Sequence, residues 1–259
     1  MSMVNKKTYA DTFAESWNHA DQIDGWLTKR EGKLLYTLAS SFHTTRDVIE
    51  IGSYKGKSTI LLASALAKHA HGQVIAVDPH KGDITLNAPK FPATLHAFTK
   101  TIKDAHVEQY VKLYRMTSID ASKKYHGVTD MLFIDGLHDY DHASEDFHAW
   151  FPFVKTGGII IFHDGYCGIP GVGRATEEVL ARNDISSVGT VGSMIYVVKG
   201  APHSWWSAWI YSVRRNLVLA GQNVYRMSAI PKSIRMFFSH RLIKLLLYTQ
   251  IDRMMGDTV

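Results

Sequence analysis

Two short stretches, DGLHDYD (residues 135 to 141) and FHDG (162 to 165), set Asp135, His138, His163 and Asp164 at the ends of two apolar β-type runs. Carboxylates grouped with imidazoles can do two kinds of work. An imidazole accepts a proton from a hydroxyl near neutral pH, and such a group can also hold a divalent cation that stabilises an alkoxide. Asp135 and Asp164 are hard oxygen ligands suited to Mg²⁺, whereas an imidazole such as that of His163 favours Mn²⁺ or a later metal. Asp135, His138 and His163 are therefore the candidate catalytic residues, and Asp135, His163 and Asp164 the candidate metal ligands. Whether His138 or His163 is the base stays open. Asp141, His142 and His148, further along, read as a solvated helix face. Tyr140 and Tyr166 fit either a pocket lining or aromatic packing, and Cys167 reads as a pocket-wall thiol.

A second constellation lies in EIGSYKGKSTI, residues 50 to 60. A phosphate-cradling P-loop needs four residues between its first Gly and its Gly-Lys-Ser/Thr, and Gly52 and Gly56 enclose only Ser53, Tyr54 and Lys55. The Gly-x-Gly-x-x-Gly turn of a dinucleotide-binding dehydrogenase is also out of register. Glu50 would repel a pyrophosphate but suits an ammonium group and, at longer range, a sulfonium. That charge logic points to S-adenosylmethionine. Asp78, closing the next apolar run, can accept both ribose hydroxyls of an adenosine. The plainer alternatives are turn glycines at Gly52 and Gly56 and a helix N-cap at Asp78.

These residues need a scaffold that brings them together. DVIEIG (47 to 52), QVIAVD (73 to 78), VKLYRM (111 to 116), DMLFID (130 to 135) and GIIIFHD (158 to 164) are apolar on both faces, as a parallel sheet covered by helices requires. Ala143, Phe147, Trp150 and Phe151, and then Val172, Ala175 and Val179, recur at helical spacing. GWLTKREGKLLYTLASSF (25 to 42) reads as a helix laid on the sheet. The stretch from 186 to 200 reads as a hairpin turning at Gly192-Ser193. The expected fold is α/β: a Rossmann-like, doubly wound, mostly parallel seven-stranded sheet with an antiparallel last strand. Neighbouring strand ends lie about 5 Å apart, so the residues that close them can share one pocket.

The segments VIEIGSYKGKST, VIAVDPH, DMLFIDGLHDYDHASEDF, KTGGIIIFHDGY and PGVGRATEEV, in this order and spacing, resemble class I S-adenosylmethionine-dependent methyltransferases. The likeness is to the branch that modifies hydroxyls of sugars and small natural products, and it covers about residues 25 to 200. It implies S-adenosylmethionine as cofactor. Glu50, Gly52, Ser53, Tyr54, Gly56 and Ser58 would surround its methionine part, with Asp78, Pro79 and His80 by the ribose, Ser118 near the adenine, and Asp135 also touching the cofactor. Metal-using relatives carry an acidic residue after the fourth strand and an acidic or amide pair after the fifth. The pair here is His163-Asp164, which sets a His base against a metal ligand. The alternative function is a non-catalytic S-adenosyl-ligand-binding or scaffold protein that kept the fold.

Composition bounds the rest. The 259 residues are 46% apolar and 20% charged, enough for one sizeable core. One cysteine excludes an intrachain disulfide and a Cys-rich metal site. No secretory signal is expected at the N-terminus and no spanning helix anywhere, which suggests a cytoplasmic protein. Residues 201 to 259 hold eight Lys/Arg against two Asp/Glu, and the preceding 200 hold 21 against 22. A nearly neutral main body argues against nucleic acid as partner; a small-molecule or glycan acceptor is expected instead.

The expected division is N-terminal helices over 1–45, a cofactor-binding domain over 46–200 and a basic, aromatic helical extension over 201–259. Within that extension Trp205, Trp209, Val213 and Leu217 fall on one apolar stripe. Between Lys232 and Gln250 the basic residues do not gather on one face. The favoured expectation is that the extension packs over the sheet, caps the acceptor site or makes a homo-oligomer contact, with peripheral membrane contact as the other reading.

Overall fold

The computed structural model describes residues 12–41, 46–68, 72–81, 94–166 and 169–227, with residues 231 and 233. Strands β1 (Asp47–Ile51), β2 (Val74–Val77), β3 (Val111–Tyr114), β4 (Thr129–Ile134), β5 (Val154–Phe162), β6 (Ile185–Val191) and β7 (Met194–Lys199) form one sheet in the order β3-β2-β1-β4-β5-β7-β6. Strands β1 to β5 run parallel to their neighbours, with Ile49 beside both Ile75 and Leu132. Strand β7 enters antiparallel between β5 and β6, and the hairpin turns at Gly192, where φ is +61°. The mostly parallel sheet with an antiparallel last strand is the architecture expected from the pattern of apolar runs.

Both faces of the sheet are covered, which is why consecutive residues in β4 and β5 are apolar. Met131 and Phe133 face a layer made by α1 (Phe13–Ala20), α2 (Lys29–Ser41), α3 (Lys57–Ala67) and α4 (Leu95–Asp104). Leu132 and Ile134 face the opposite layer, α5 (Ser118–Lys124), α6 (Tyr140–Trp150), α7 (Pro170–Leu180) and α8 (Trp205–Arg226). Each wholly buried Leu, Ile or Phe in these layers contributes about 1.5–3 kcal/mol relative to exposure.

Local chemistry sets the boundaries. The helix read over residues 25 to 42 begins at Lys29, because Thr28 and Glu31 form a reciprocal pair: Thr28 N–H donates to Glu31 Oε2 at 2.9 Å and Glu31 N–H to Thr28 Oγ1 at 3.4 Å. Strand β5 starts at Val154 rather than Gly158, and its register to β4 shifts between Thr129 and Met131. The other parallel strands stop one or two residues short of the runs that predicted them, so Gly52, Asp78, Asp135 and His163 lie just beyond strand ends.

The stripe Trp205, Trp209, Val213 is not the packed side of α8: these residues are 78%, 55% and 39% exposed. The helix is seated through Tyr211, Val218, Gly221 and Gln222 instead. Its anchors are hydrogen bonds that apolar periodicity does not register, from Tyr211 Oη to the Leu180 carbonyl at 2.8 Å and from Gln222 Nε2 to the Gly165 carbonyl at 2.8 Å. Cys167 and the span read from Lys232 to Gln250, apart from Ser233, lie outside the described residues.

Gly52 closes β1 with φ +85°, and a Cβ there would stand 2.1 Å from the Asp135 carbonyl oxygen. Gly52→Ala is therefore expected to lower Tm by more than about 5 °C; an unchanged melting curve would contradict this account of the turn.

Candidate active site

The sheet winds outward in both directions from β1 and β4, so the crevice beyond their C-terminal ends is a topological switch point. Backbone bonds carry the ladder past the strands and hold the site residues in place. Gly52 N–H donates to the Val77 carbonyl at 2.9 Å, Asp135 N–H to Ile51 at 2.8 Å and His163 N–H to Ile134 at 3.0 Å. The turn after β1 is tight: Gly56 N–H returns to the Ser53 carbonyl at 2.7 Å, and Tyr54 and Gly56 have φ of 45° and 88°. Gly56 is the N-cap of α3 and offers no side chain to its first-turn N–H groups, which leaves them suited to an anionic group.

Glu50 lies under this turn with no exposure. Its Oε2 accepts the Thr59 hydroxyl at 2.6 Å, and its Oε1 is buried without a hydrogen-bond partner. Burial pushes its pKa up to about 7, against the opposing hydrogen bonds of Ser58 and Thr59 and with the Asp135 and Asp78 charges adding to the rise. Ser53 Oγ, beside it in sequence, is likewise buried and unpaired. An unpaired acceptor and an unpaired hydroxyl, both shut away from water, are what a polar ligand in the crevice would satisfy.

Asp78 is held from both sides, Oδ2 accepting Tyr54 N–H at 2.8 Å and Oδ1 accepting His80 N–H at 2.6 Å. Each oxygen retains one acceptor position. Pro79 is half-buried between them. His80 is buried, with Nδ1 2.8 Å from Thr94 Oγ1, and burial lowers its pKa despite the nearby Asp78 charge. Ser118, at the start of α5, accepts the Trp150 indole N–H at 2.8 Å. Beside it stands a group the apolar periodicity passes over: Asp146, buried on α6, with a pKa pushed by burial to about 6 against a hydrogen bond from Ser118. Its signal was legible, since Asp146 falls on the Ala143, Phe147, Trp150 stripe, where an acid is out of place.

The four groups at the ends of β4 and β5 converge. His163 Nδ1 lies 3.2 Å from Asp135 Oδ1 and 3.3 Å from Asp164 Oδ2, and His138 Nε2 lies 3.4 Å and 3.5 Å from the same two oxygens. Asp135, His138 and His163 offer ligand atoms all within 4.8 Å of one another. The two imidazole nitrogens and Asp135 Oδ1 lie at separations that suit donors around a divalent cation, whereas Asp164, expected among the ligands, is not part of this mutually close group. Both nitrogens lack a hydrogen bond within the protein, so the residues fit such an ion. Asp164 itself has φ of 54°.

Glu31, which sequence reasoning missed, completes the group from α2. Its Oε2 lies 3.8 Å from His163 Nε2, and its Oε1 accepts the Ser193 N–H at 2.8 Å and hydroxyl at 2.9 Å. Although burial disfavours a charged imidazole, Asp135, Asp164 and Glu31 together hold His163 far above the usual histidine range. His138 is raised too, by the Asp135 carboxylate beside it against burial, and its side chain is the most open of the four at 36% exposed. Asp141, His142 and His148 sit on the exposed face of α6. Tyr140 reaches away to Glu178, its hydroxyl donating to Oε1 at 2.7 Å, and Tyr166 is buried.

Residues 49–165 match the family model of a methyltransferase domain. Over 71 residues, 27% of this chain and 18% of the relative, the sequence is 32% identical to demethylmacrocin O-methyltransferase of Streptomyces fradiae. Over 156 residues, 57% of this chain and 66% of the relative, it is 26% identical to the uncharacterized protein R132 of Acanthamoeba polyphaga mimivirus. The chain thus spans a fifth to two thirds of the length of these relatives. In fold it is similar to the O-methyltransferase TomG of Streptomyces achromogenes, solved in complex with S-adenosylmethionine, at a TM-score of 0.53 and 22% identity, covering 73% of this chain and 88% of that one.

Because the folded pKa of Glu50 is raised, the folded state binds its proton more tightly than the unfolded chain. Stability is therefore fullest at low pH and falls as pH rises from about 4.5 to about 7. Glu50→Gln, neutral throughout, is expected to melt higher than the wild type at pH 8, by the equivalent of about 2 kcal/mol, and to match it closely at pH 5. Equal Tm values at pH 8 would contradict the buried charge.

Proposed function

We propose that this protein, whose residues 49–165 match the family model of a methyltransferase domain, transfers a methyl group from S-adenosylmethionine to a hydroxyl of a sugar, glycan or small natural product. The observation that carries this reading is Glu50, a carboxylate with no exposure and one oxygen unpaired beneath a left-handed glycine turn. An ammonium group answers that need, and a triphosphate would be repelled by it.

When bound, S-adenosylmethionine supplies an electrophilic methyl group. The protein's part is to orient it. Glu50 takes the ammonium, and the uncapped first turn of α3 at Lys57 and Ser58 takes the carboxylate. Asp78, already aligned by Tyr54 and His80 N–H groups, accepts the ribose hydroxyls. Gly52 and Gly56 supply the left-handed conformations that the turn needs, and Ser118 borders the adenine.

An alcohol is a poor nucleophile near pH 7, so its proton must leave as the methyl arrives. Asp135 and His163 would hold a divalent cation there, with Asp164 beside His163, and the cation would supply Lewis acidity toward the acceptor oxygen; the imidazole in that set favours Mn²⁺ over Mg²⁺. His163, facing Glu31 through its other nitrogen, is an oriented ligand in this arrangement. His138, the most open member, takes the proton. Residues 46–200 would carry the chemistry, with the helices of 12–41 packed on them and 201–259 as an extension, in a protein acting in the cytoplasm.

Calorimetry tests the cofactor: S-adenosylhomocysteine is expected to bind at micromolar affinity and Asp78→Ala to weaken it at least about tenfold, whereas no heat of binding would end the reading. Once an acceptor is found by screening with labelled donor, His138→Ala should lower kcat by about 10²–10⁴ without changing S-adenosylhomocysteine affinity. EDTA should abolish turnover and Mn²⁺ restore it. Activity indifferent to the chelator would remove the cation and leave the His138 base.

A further inference from the structure

Helix α8 has two unlike faces. The inner one is fastened to the sheet layer by Tyr211, Val218 and Gln222. The outer one bears Trp205, Trp209, Val213, Asn216, Ala220 and Asn223 at successive three- and four-residue steps, and the stripe ends on Met227, 51% exposed. No charged side chain interrupts it over 22 residues. Other outer helices are unlike this: the exposed positions of α4 include Lys100, Lys103 and Asp104. Trp206 widens the stripe at its start, 52% exposed and stacked on Trp209 with ring centroids 4.9 Å apart. Three large indoles left in water at one end of a helix need a partner.

Charge says which partner. Helix α8 contains Arg214, Arg215 and Arg226, the last paired with Glu177 of α7, and no acid. Residues 201 to 259 have eight Lys/Arg against two Asp/Glu, a net of +6, while the remainder of the chain is close to neutral at −1. A second copy docking by this face would set one cationic extension against an identical one, since a two-fold contact apposes the same patch. Folding residues 228–259 over the face would likewise add five Lys/Arg and two Asp/Glu to a helix that has only cations. An anionic bilayer surface meets both features at once: indole rings prefer the headgroup level, and a cationic segment is drawn to acidic lipids. No helix among the described residues is long and apolar enough to cross a membrane, so the contact is one of lying on the surface.

We infer that the Trp205, Trp206, Trp209 face of α8 docks this protein on an anionic lipid surface, with the helix axis along the membrane plane. The inference rests on α8 and the charge of the extension, and stands or falls apart from methyl transfer. Because Gln222 ties the far end of α8 to Gly165, next to His163 and Asp164, docking would bring the acceptor crevice to the side of the protein near the membrane plane.

The test uses the full chain with vesicles of phosphatidylcholine, with and without about a third phosphatidylglycerol. Flotation with the acidic vesicles, weaker flotation with neutral ones and a blue shift of tryptophan emission are expected. The triple variant W205A/W206A/W209A should lose at least about tenfold in vesicle partitioning while binding S-adenosylhomocysteine, or failing that melting, as the wild type does. Absence of flotation, or flotation equal in the variant, overturns the proposal. So does a wild-type dimer in light scattering that the variant splits into monomers, which would assign the face to a second copy. Indoles already shielded from iodide in a vesicle-free monomer would assign it to the chain's own tail.

Discussion

A carboxylate placed where water cannot reach it, with one oxygen bonded to Thr59 and the other to nothing, is the constraint around which this site is arranged. An ionised Glu50 in that position is costly, and the protein answers by letting it hold a proton up to about pH 7. In the proposed reading, a cation arriving at Oε1 would turn this costly charge into half of a buried pair. The left-handed turn beside it is set by packing: a Cβ at Gly52 would stand 2.1 Å from the Asp135 carbonyl oxygen and one at Gly56 3.1 Å from Thr101 Cγ2.

Across the crevice the electrostatic problem is inverted. His163 stands among Asp135, Asp164 and Glu31, an excess of negative charge that either a protonated imidazole or a bound cation must balance. Glu31 gives this cluster a structural reach. Its four accepted hydrogen bonds join the start of α2 to the β6–β7 turn, so the first helices and the last hairpin meet at the site. Its own pKa, held down to about 2 by His163 and Thr28 despite burial, keeps it ionised throughout.

Much of this was legible in the residues because topology does the positioning. A parallel sheet puts every strand's C-terminal end at one edge, so Glu50, Asp78, Asp135 and His163 are brought together merely by ending apolar runs. What periodicity could not show were contacts made by polar side chains between layers. Thr28-x-x-Glu31 is readable as a helix start, yet nothing in it announces an imidazole on another strand. Asp146 was readable as an acid on an apolar stripe. For α8 apolar spacing showed a stripe through Trp205 and Trp209 but not which face packs; the helix is seated by the hydroxyl of Tyr211 and the amide of Gln222.

The central claim, that Glu50 exchanges a proton for a cationic ligand, is open to direct measurement. S-adenosylhomocysteine would be titrated into the protein near pH 6 by calorimetry, in buffers of different ionisation heat, to count the protons released on binding. Release of close to one proton, absent in Glu50→Gln, is the predicted result. Binding with no proton released, or with the same release in the variant, would contradict it.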